Sequence, residues 1–249
     1  MSLSDEELDR YARHLVLRQL GGPGQAKIRA ASVLVVGAGG LGSPAGLYLA
    51  AAGVGRLGIV DDDTVSLSNL QRQILFRTPD VGEAKSDAAA KTLAALNPGV
   101  TLEPHKIRLT ADNAASLIAP YDIVLDGSDN FETRFLINDT CFALNKTLVF
   151  AAVTEFEGQL ATFKGPPCYR CLFPEPPPPG TVPGCSETGV IGAAAGVMGS
   201  LAALEVLKEI TGMGESLAGK LLIYEALSAR VRTLALRPDP ACSLCGKGQ

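Results

Sequence analysis

The segment SVLVVGAGGLGSPAGLYLAAAGVGRLGIVD, residues 32–61, carries the strongest structural signal in this 249-residue chain. It opens with a continuous apolar run, enters a glycine-rich turn, and continues as a predicted helix over 43–52 with Pro44 in its first turn. A second apolar run, Arg56–Val60, ends directly at Asp61. The order of strand, turn, helix and strand is typical of an α/β domain with a parallel sheet.

The rest of the chain alternates apolar runs with segments of helical periodicity, which predicts a Rossmann-like, mostly parallel sheet with helices on both faces. Ligands on such sheets bind beyond the carboxyl ends of the strands, where the glycine turn, Asp61 and residues 126–130 are expected to meet. The further predicted strands are 121–126, 148–153, 220–224 and 230–236, and the further predicted helices are 82–96, 130–144 and 189–207.

Composition excludes several functional classes. Hydrophobic residues make up 47% of the chain, which suffices to bury a full sheet. The net charge is −4 at pH 7, so the chain lacks the basic surface that nucleic-acid binding needs. The N-terminus is acidic and amphipathic, unlike a secretory signal, and no apolar run approaches the ~20 residues of a membrane span. We therefore expect a cytoplasmic protein with no nucleic-acid or membrane partner.

The turn GAGGLG, residues 37–42, matches the GxGxxG pattern after a strand and before a helix. Such a turn lets backbone N–H groups approach phosphates at a helix N-terminus. Asp61 ends the second strand, where a carboxylate can accept hydrogen bonds from ribose hydroxyls. The pair predicts an adenine-nucleotide site, and the alternative is a turn that only allows tight packing. The glycines of the pattern are Gly37, Gly39, Gly40 and Gly42.

A long polar loop, TVSLSNLQRQILFRTPD at 64–80, follows without regular periodicity, and long loops of this kind are usually functional. It supplies Asn69, Gln71 and Arg72, and the next helix supplies Lys85. Arg72 and Lys85 can span a triphosphate and neutralise the charge on departing pyrophosphate. The alternative for either residue is an ordinary solvated surface cation.

Asp129 and Asn130 follow the predicted strand that ends at Asp126. A carboxylate at this edge of the sheet is suited to a magnesium ion that bridges phosphate oxygens. Alternatively, Ser128 or Asp129 only caps the helix that follows. The residues alone leave both interpretations open.

Four of the six cysteines form two CxxC pairs, Cys168 with Cys171 and Cys242 with Cys245. Their number and local spacing are those of a Cys₄ zinc site. Because protein ligands would occupy all four positions, we expect a structural zinc that clips the C-terminus onto the middle of the domain. A thioredoxin-like redox pair is the alternative, although the pairs lie in a Pro-rich loop and a tail rather than beside a βαβ unit.

The two remaining cysteines have different surroundings. Cys141 lies on the apolar face of its predicted helix and is expected to be a small core residue. Cys185 lies in a polar loop just before a helix whose N-terminal dipole favours thiolate. It is a candidate nucleophile, with an inert loop cysteine as the alternative.

We predict a single domain, residues 1–249, with three added segments. Residues 1–30 form a helical extension, in which apolar residues recur at helical spacing until GGPG, at 21–24, ends the helix. Residues 166–190 form an extended Pro-rich crossover loop, because each proline lacks a donor and fixes its own φ. Residues 237–249 form the zinc-binding tail.

Together, GAGGLG, Asp61, DTVSLSNLQRQ, the Lys85 helix, DGSDN, CYRC and CSLC resemble the MoeB/ThiF family, bacterial relatives of ubiquitin-activating enzymes. The resemblance covers nearly the whole chain, from the N-terminal helix to Cys245. It implies ATP-dependent adenylylation of the C-terminal glycine carboxylate of a ubiquitin-like sulfur-carrier protein ending in Gly-Gly, with release of pyrophosphate. Such activation would serve sulfur transfer in the synthesis of molybdenum cofactor, thiamine or thiolated tRNA.

The resemblance also implies roles for individual positions. Arg13 would enter the ATP site of the neighbouring subunit in a homodimer, Asp129 would be linked to magnesium, and Cys185 would bond to the activated carrier. The implied catalytic residues are Arg13, Arg72, Lys85, Asp129 and Cys185. The implied nucleotide contacts are Gly37, Gly39, Gly40, Gly42, Asp61, Ser68, Asn69, Leu70, Gln71, Arg72, Lys85, Asp129 and Asn130. The implied cofactors are ATP, Mg²⁺, and Zn²⁺ held by Cys168, Cys171, Cys242 and Cys245.

The chain stops shortly after Cys245, so we expect sulfur to come from a separate desulfurase or rhodanese-type protein. Other functions share some of these features. An NAD-dependent oxidoreductase shares the glycine turn but gives no reason for Arg72, Lys85 and Asp129 to cluster. A non-catalytic partner-binding subunit would lack one of these three residues, and none is missing. A third alternative is a member of the same family that adenylates a small carboxylate on tRNA. The Cys₄ site and the acidic chain weigh against it.

Overall fold

The computed structural model describes residues 3–178 and 189–246. Within them the strands form one eight-stranded sheet in the order β3-β2-β1-β4-β5-β6-β7-β8. The strands are β1 Ser32–Val36, β2 Arg56–Val60, β3 Thr101–His105, β4 Ile123–Asp126, β5 Thr147–Thr154, β6 Glu157–Phe163, β7 Lys220–Glu225 and β8 Arg230–Ala235.

The sheet has a parallel half and an antiparallel half. Strands β3, β2, β1, β4 and β5 pair in parallel, and β6, β7 and β8 follow in antiparallel pairs. The predicted mostly parallel sheet is therefore confirmed. The strands β3 and β6 were not predicted, because TLEPH carries a proline that only an edge strand tolerates and EGQLATF is short and interrupted by polar residues.

Nine α-helices lie in the described part of the chain. They are α1 Asp5–Arg10, α2 Ala12–Leu15, α3 Gly21–Ala30, α4 Gly42–Ala52, α5 Lys85–Leu96, α6 Ala114–Ile118, α7 Phe131–Ala143, α8 Tyr169–Leu172 and α9 Gly192–Thr211. Two 3₁₀ helices, Leu67–Asn69 and Thr78–Asp80, lie between β2 and α5.

Two local predictions were wrong. The GGPG sequence begins α3 instead of ending a helix. Pro23 falls in the first helical turn, where a backbone N–H makes no hydrogen bond within the helix, so a proline is tolerated there. The crossover segment is not extended throughout, since α8 forms one helical turn between prolines 167 and 174. The Cys171 N–H donates to the Cys168 carbonyl at 2.9 Å and closes that turn.

The core lies on both faces of the sheet, as predicted. Along β1, Val33 and Val35 belong to the cluster beneath α4, α5 and α9, whereas Leu34 and Val36 face the cluster beneath α6 and α7. Helix α9 packs closely on α4, because a Cβ at Gly199 would lie 2.4 Å from the Leu41 carbonyl oxygen. This close approach explains the small residues of α9.

Among residues 3–178 and 189–246, no helix is both long and apolar enough to cross a membrane.

Candidate functional site

An open cavity of about 320 Å³ lies at the carboxyl ends of the parallel strands. The turns that follow β1, β2 and β4 form its walls, and the long loop between β2 and α5 closes one side. Of the residues predicted to bind nucleotide, the cavity is lined by Gly37, Gly39, Gly40, Asp61, Arg72, Lys85, Asp129 and Asn130. The predicted meeting of the glycine turn, Asp61 and residues 126–130 is confirmed.

The glycine turn combines packing with access to the cavity. Gly37 has a φ of +90°, and a Cβ there would lie 2.9 Å from the Gly127 carbonyl oxygen. A Cβ at Gly42 would lie 1.9 Å from the Gly37 carbonyl oxygen, so Gly42 serves the close turn and does not line the cavity. Gly39 and Gly40 line the cavity just before α4 begins. The turn therefore packs tightly at Gly37 and Gly42 and opens to the cavity at Gly37, Gly39 and Gly40.

Asp61 is held in a fixed orientation beside this turn. Its carboxylate accepts hydrogen bonds from the Ala38 N–H at 2.9 Å and the Asp63 N–H at 3.0 Å. Burial raises the pKa of Asp61 above its ordinary value, against the attraction of the Lys85 ammonium and these two donors. The carboxylate is therefore preorganised to accept further hydrogen bonds from the cavity side.

Two cations lie on the side of the cavity that the long loop closes. The Lys85 ammonium lies 2.8 Å from an Asp63 carboxylate oxygen, and the Lys85 side chain is only 7% exposed. Arg72 is half-buried and donates to the Ser68 carbonyl at 3.1 Å, while its aliphatic part lies against Gly40. Lys85 is therefore not an ordinary solvated surface cation, whereas Arg72 keeps part of its side chain in solvent. Both side chains line the cavity beside the glycine turn.

Several predicted contacts do not line the cavity. The Asn69 carboxamide instead accepts from the Ser66 N–H at 3.0 Å and closes a turn of the loop. Gln71 and Arg13 are exposed, and Arg13 lies on α2, outside this cavity. The predicted site residues that do not line the cavity are Arg13, Gly42, Ser68, Asn69, Leu70 and Gln71.

In the turn between β4 and α7, the residue that caps the helix and the exposed carboxylate are two different residues. Asn130 caps α7, because its side chain accepts from the Thr133 N–H at 2.8 Å. The Asp129 side chain is exposed at the cavity, so the helix cap does not occupy it. An exposed carboxylate beside this cavity offers the hard oxygen donors that Mg²⁺ prefers, so Asp129 fits that ion.

Sequence reasoning missed two side chains of this site, Gln73 and Arg134. Gln73 is 4% exposed, lines the cavity, and has an amide oxygen with no hydrogen-bond partner among the described residues. Arg134 lines the opposite wall and donates to the Ser128 carbonyl at 3.0 Å. Asp126 is fully buried beneath them, and burial raises its pKa against the attraction of the Arg134 guanidinium. The loop around Gln73 lacks periodicity, so no sequence signal marked that residue as buried.

The four cysteines of the two CxxC pairs form a compact cluster. Their sulfur atoms all lie within 4.8 Å of one another, with Cys168 and Cys242 at 3.6 Å and Cys171 and Cys245 at 3.3 Å. Tetrahedral bonds of about 2.3 Å would place sulfur atoms ~3.8 Å apart, so the cluster fits a zinc ion. It joins the C-terminal tail to the turn α8, as the sequence predicted.

The remaining cysteines are one core residue and one that the structure does not place. Cys141 is 2% exposed within the cluster beneath α7, which confirms its predicted core position. The candidate nucleophile Cys185 lies outside the described residues, as does much of the predicted crossover loop.

The parallel sheet, the glycine turn and the cavity at the strand ends define a Rossmann-like α/β domain of the nucleotide-binding type. The chain belongs to the ThiF family, whose sequence model matches residues 11–244. The MoeB/ThiF resemblance is thereby confirmed.

Individual relatives agree with this assignment. The chain is 53% identical over 253 residues to the sulfur carrier protein adenylyltransferase of Thermus thermophilus, covering 99% of this chain and 93% of that protein. It is 47% identical over 249 residues to the SAMP-activating enzyme E1 of Haloferax volcanii, covering 100% of this chain and 92% of that protein. The crystal structure of E. coli MccB superposes with a TM-score of 0.85 at 21% identity, covering 99% of this chain and 74% of that chain, which shows a shared fold.

Proposed function

We propose that the protein is an adenylyltransferase that uses ATP to activate the C-terminal glycine carboxylate of a ubiquitin-like sulfur-carrier protein. The names of its two relatives, at 53% and 47% identity, support this activity. The observation that carries the assignment is that Arg72, Lys85 and Asp129 line one cavity with the glycine turn and Asp61. A dinucleotide needs only the turn and the carboxylate, whereas a departing triphosphate tail needs the cations as well.

The reaction needs no general base. A C-terminal carboxylate is already ionised at neutral pH, so its oxygen can attack the α-phosphorus of ATP directly. A bond forms between that oxygen and the α-phosphorus, while the bond to the bridging oxygen breaks and pyrophosphate leaves with the electron pair. The protein has to align two anions and neutralise the charge that develops on the leaving group.

The residues of the cavity divide this work. Gly39 and Gly40 would contact phosphates through the backbone, and Asp61 would accept from the ribose hydroxyls. Arg72 and Lys85 would bind the departing pyrophosphate. Asp129 would hold a magnesium ion, whose charge would offset that of the phosphates. Arg13, exposed on α2, would complete the site from the second subunit of a homodimer.

Zinc in the cysteine cluster would be structural, because four sulfur ligands leave no coordination position for a substrate. We further propose the three added segments, 1–30, 166–190 and 237–249, as parts of the single domain, and Cys185 as a candidate for covalent linkage to the carrier. Sulfur would come from a separate donor in the cytoplasm. The activated carrier would serve sulfur transfer in the synthesis of molybdenum cofactor, thiamine or thiolated tRNA.

The proposal is tested by exchange of labelled pyrophosphate into ATP, measured with a panel of purified carriers ending in Gly-Gly. We expect exchange that requires both a carrier and Mg²⁺, and its loss in Arg72→Ala and Asp129→Ala. Arg77→Ala and Asp112→Ala are matched controls, since both residues are exposed and outside the cavity. Tight NAD binding without exchange would favour the oxidoreductase, and exchange with a small carboxylate but with no carrier would favour the tRNA-modifying enzyme.

A further inference from the structure

Helix α7 contacts both the cavity and the cysteine cluster. At its N-terminal end, Thr133 and Arg134 line the cavity. One turn further on, the Asn138 side chain accepts from the Tyr169 N–H at 2.8 Å, and Asp139 accepts from Arg170 at 2.8 and 2.7 Å. Tyr169 and Arg170 are the two residues between Cys168 and Cys171. The same rigid helix therefore carries part of both sites.

Arg134 fixes the turn that carries Asp129. Its guanidinium donates to the Ser128 carbonyl at 3.0 Å, on the peptide group that leads directly into Asp129. The guanidinium also lies over the rings of Phe131 and Phe150, at 5.4 and 5.6 Å from their centroids. These contacts hold the cation in place from two sides.

The Phe150 ring contacts Tyr169 as well as the Arg134 guanidinium. It lies 5.0 Å from the Tyr169 ring, and Phe150 is the register partner of Asp126 in the sheet. Tyr169 is 1% exposed and packs edge to face on Phe135 of α7 at 5.2 Å. The tyrosine of the first cysteine pair, the guanidinium and the buried carboxylate therefore surround one aromatic ring.

Three polar atoms in this group have no hydrogen-bond partner among the described residues. They are Arg134 Nε, Asp126 Oδ2 and the Tyr169 hydroxyl, and all three are buried. Leaving a buried polar atom unpaired is costly, and a protein seldom keeps three together for packing alone. Replacing these side chains with apolar ones would avoid the cost, so their retention points to a role in positioning.

We propose that Arg134 is a positioning residue that, packed with Asp126 and Tyr169 around the Phe150 ring, holds the Asp129 turn in its binding geometry, so that filling of the cysteine cluster and binding of a nucleoside triphosphate strengthen each other. This inference rests on the proposed nucleotide site. Metal bound at Cys168 and Cys171 fixes α8 and with it the Tyr169 side chain, and this in turn restricts Arg134. By thermodynamic reciprocity, the triphosphate must tighten zinc binding by the same factor by which zinc tightens triphosphate binding.

The experiment uses the zinc-loaded full chain and two equilibrium measurements. ATP affinity is measured in the presence of Mg²⁺, and zinc affinity is measured by chelator competition with and without saturating ATP. Arg134→Lys keeps the charge but loses the planar fork, and Tyr169→Phe keeps the ring but loses the hydroxyl. The matched controls are Arg230→Lys and Tyr48→Phe, which change exposed residues that belong neither to the cavity nor to the cysteine cluster.

For the wild type we expect ATP to tighten zinc binding by roughly tenfold, within the usual range of coupling between two sites. Arg134→Lys and Tyr169→Phe should bind ATP about tenfold more weakly and lose most of this zinc effect, at near wild-type melting temperature, while both controls match the wild type. Wild-type ATP binding with a zinc affinity that does not respond to ATP would overturn the inference alone. Absence of ATP binding by the wild type would overturn the proposed function as well.

Discussion

The ammonium group of Lys85 lies 2.8 Å from the carboxylate of Asp63, at the point where α5 begins beside the cavity. The two partners differ in environment, since the Lys85 side chain is 7% exposed and that of Asp63 is 71% exposed. The pair thus presents a cation to the cavity while its counter-ion stays hydrated. Removing the lysine leaves Asp63 hydrated, although it also takes one attractive charge from the half-buried Asp61 carboxylate. The proposed role of Lys85 is therefore tested by measuring exchange and stability together.

Lys85→Met should lower carrier-dependent pyrophosphate exchange by about 100-fold to 1,000-fold, because one charge-stabilising donor to the leaving group is lost. Its unfolding free energy should fall by roughly 1 kcal/mol, since Asp63 remains solvated and Asp61 keeps its hydrogen bonds from the Ala38 and Asp63 N–H groups. Lys91→Met is the matched control on the same helix, because the Lys91 side chain is 71% exposed. Exchange assays and denaturant titrations check both. Equal exchange rates in the two variants would contradict the role of Lys85.

Gln73→Glu should weaken ATP binding by roughly 10-fold to 100-fold. The Gln73 amide nitrogen lies over Gly39, 3.8 Å from where its Cβ would be, so a carboxylate of the same shape would repel phosphates at the turn. Calorimetric titration with ATP measures the effect, and the exposed Gln19→Glu provides a control of equal charge. If both variants bound ATP like the wild type, Gln73 would have only a packing role.

The raised pKa of Asp61 predicts a pH limit on nucleotide binding. As the pH falls through this pKa, Asp61 protonates and ceases to be a full acceptor for ribose hydroxyls. As the pH is lowered, nucleotide binding should therefore begin to weaken before the pH reaches ~3.9, the ordinary pKa of an aspartate. Because the folded state holds this proton more tightly than the unfolded state, the Asp61 contribution to unfolding free energy increases as pH falls.

Titrations at several pH values with wild type and Asp61→Asn separate this effect from protonation of ATP itself. The variant should bind weakly at neutral pH and should lack the component of the pH dependence that Asp61 causes. Identical pH profiles for the two proteins would show that Asp61 does not contact the nucleotide.

Loss of metal from the cysteine cluster should lower stability by about 4 kcal/mol, because the metal closes a loop of roughly 75 residues in the unfolded chain. Cys168 and Cys242 are separated by 74 positions and approach to 3.6 Å. Cys242→Ser should lose the metal and unfold at a lower temperature. Cys141→Ala, which lies outside the cluster, should keep the metal and lose about 1 kcal/mol. Unchanged melting of Cys242→Ser after verified metal loss would contradict a structural clip.

Regular periodicity decided which parts of the fold could be predicted. The runs Ser32–Val36 and Arg56–Val60 are continuously apolar because both faces of a central parallel strand are covered, and their predicted bounds match the structure. The strand β3 lies at the edge, has no fully buried residue and contains Pro104, so it lacks that signal. The GGPG sequence misled because Gly and Pro also occur in the first turn of a helix.

The candidate site was predictable where a motif fixes its own geometry. The glycine turn and the CxxC pairs constrain their neighbours directly. In the structure Gly37, Gly39 and Gly40 line one cavity, and the four cysteines form a separate cluster. Gln73 and Arg134 were missed because their positions depend on the path of an irregular loop and on contacts across the sheet. No local pattern encodes such long-range contacts.

The most direct test of the account is a crystal of the protein soaked with ATP and Mg²⁺. We predict the β- and γ-phosphates within hydrogen-bond distance of Lys85 Nζ and the Arg72 guanidinium, the ribose hydroxyls on Asp61, and a cation beside Asp129. Density for ATP elsewhere on the protein, or phosphates in the cavity with these two cations turned away from them, would contradict it.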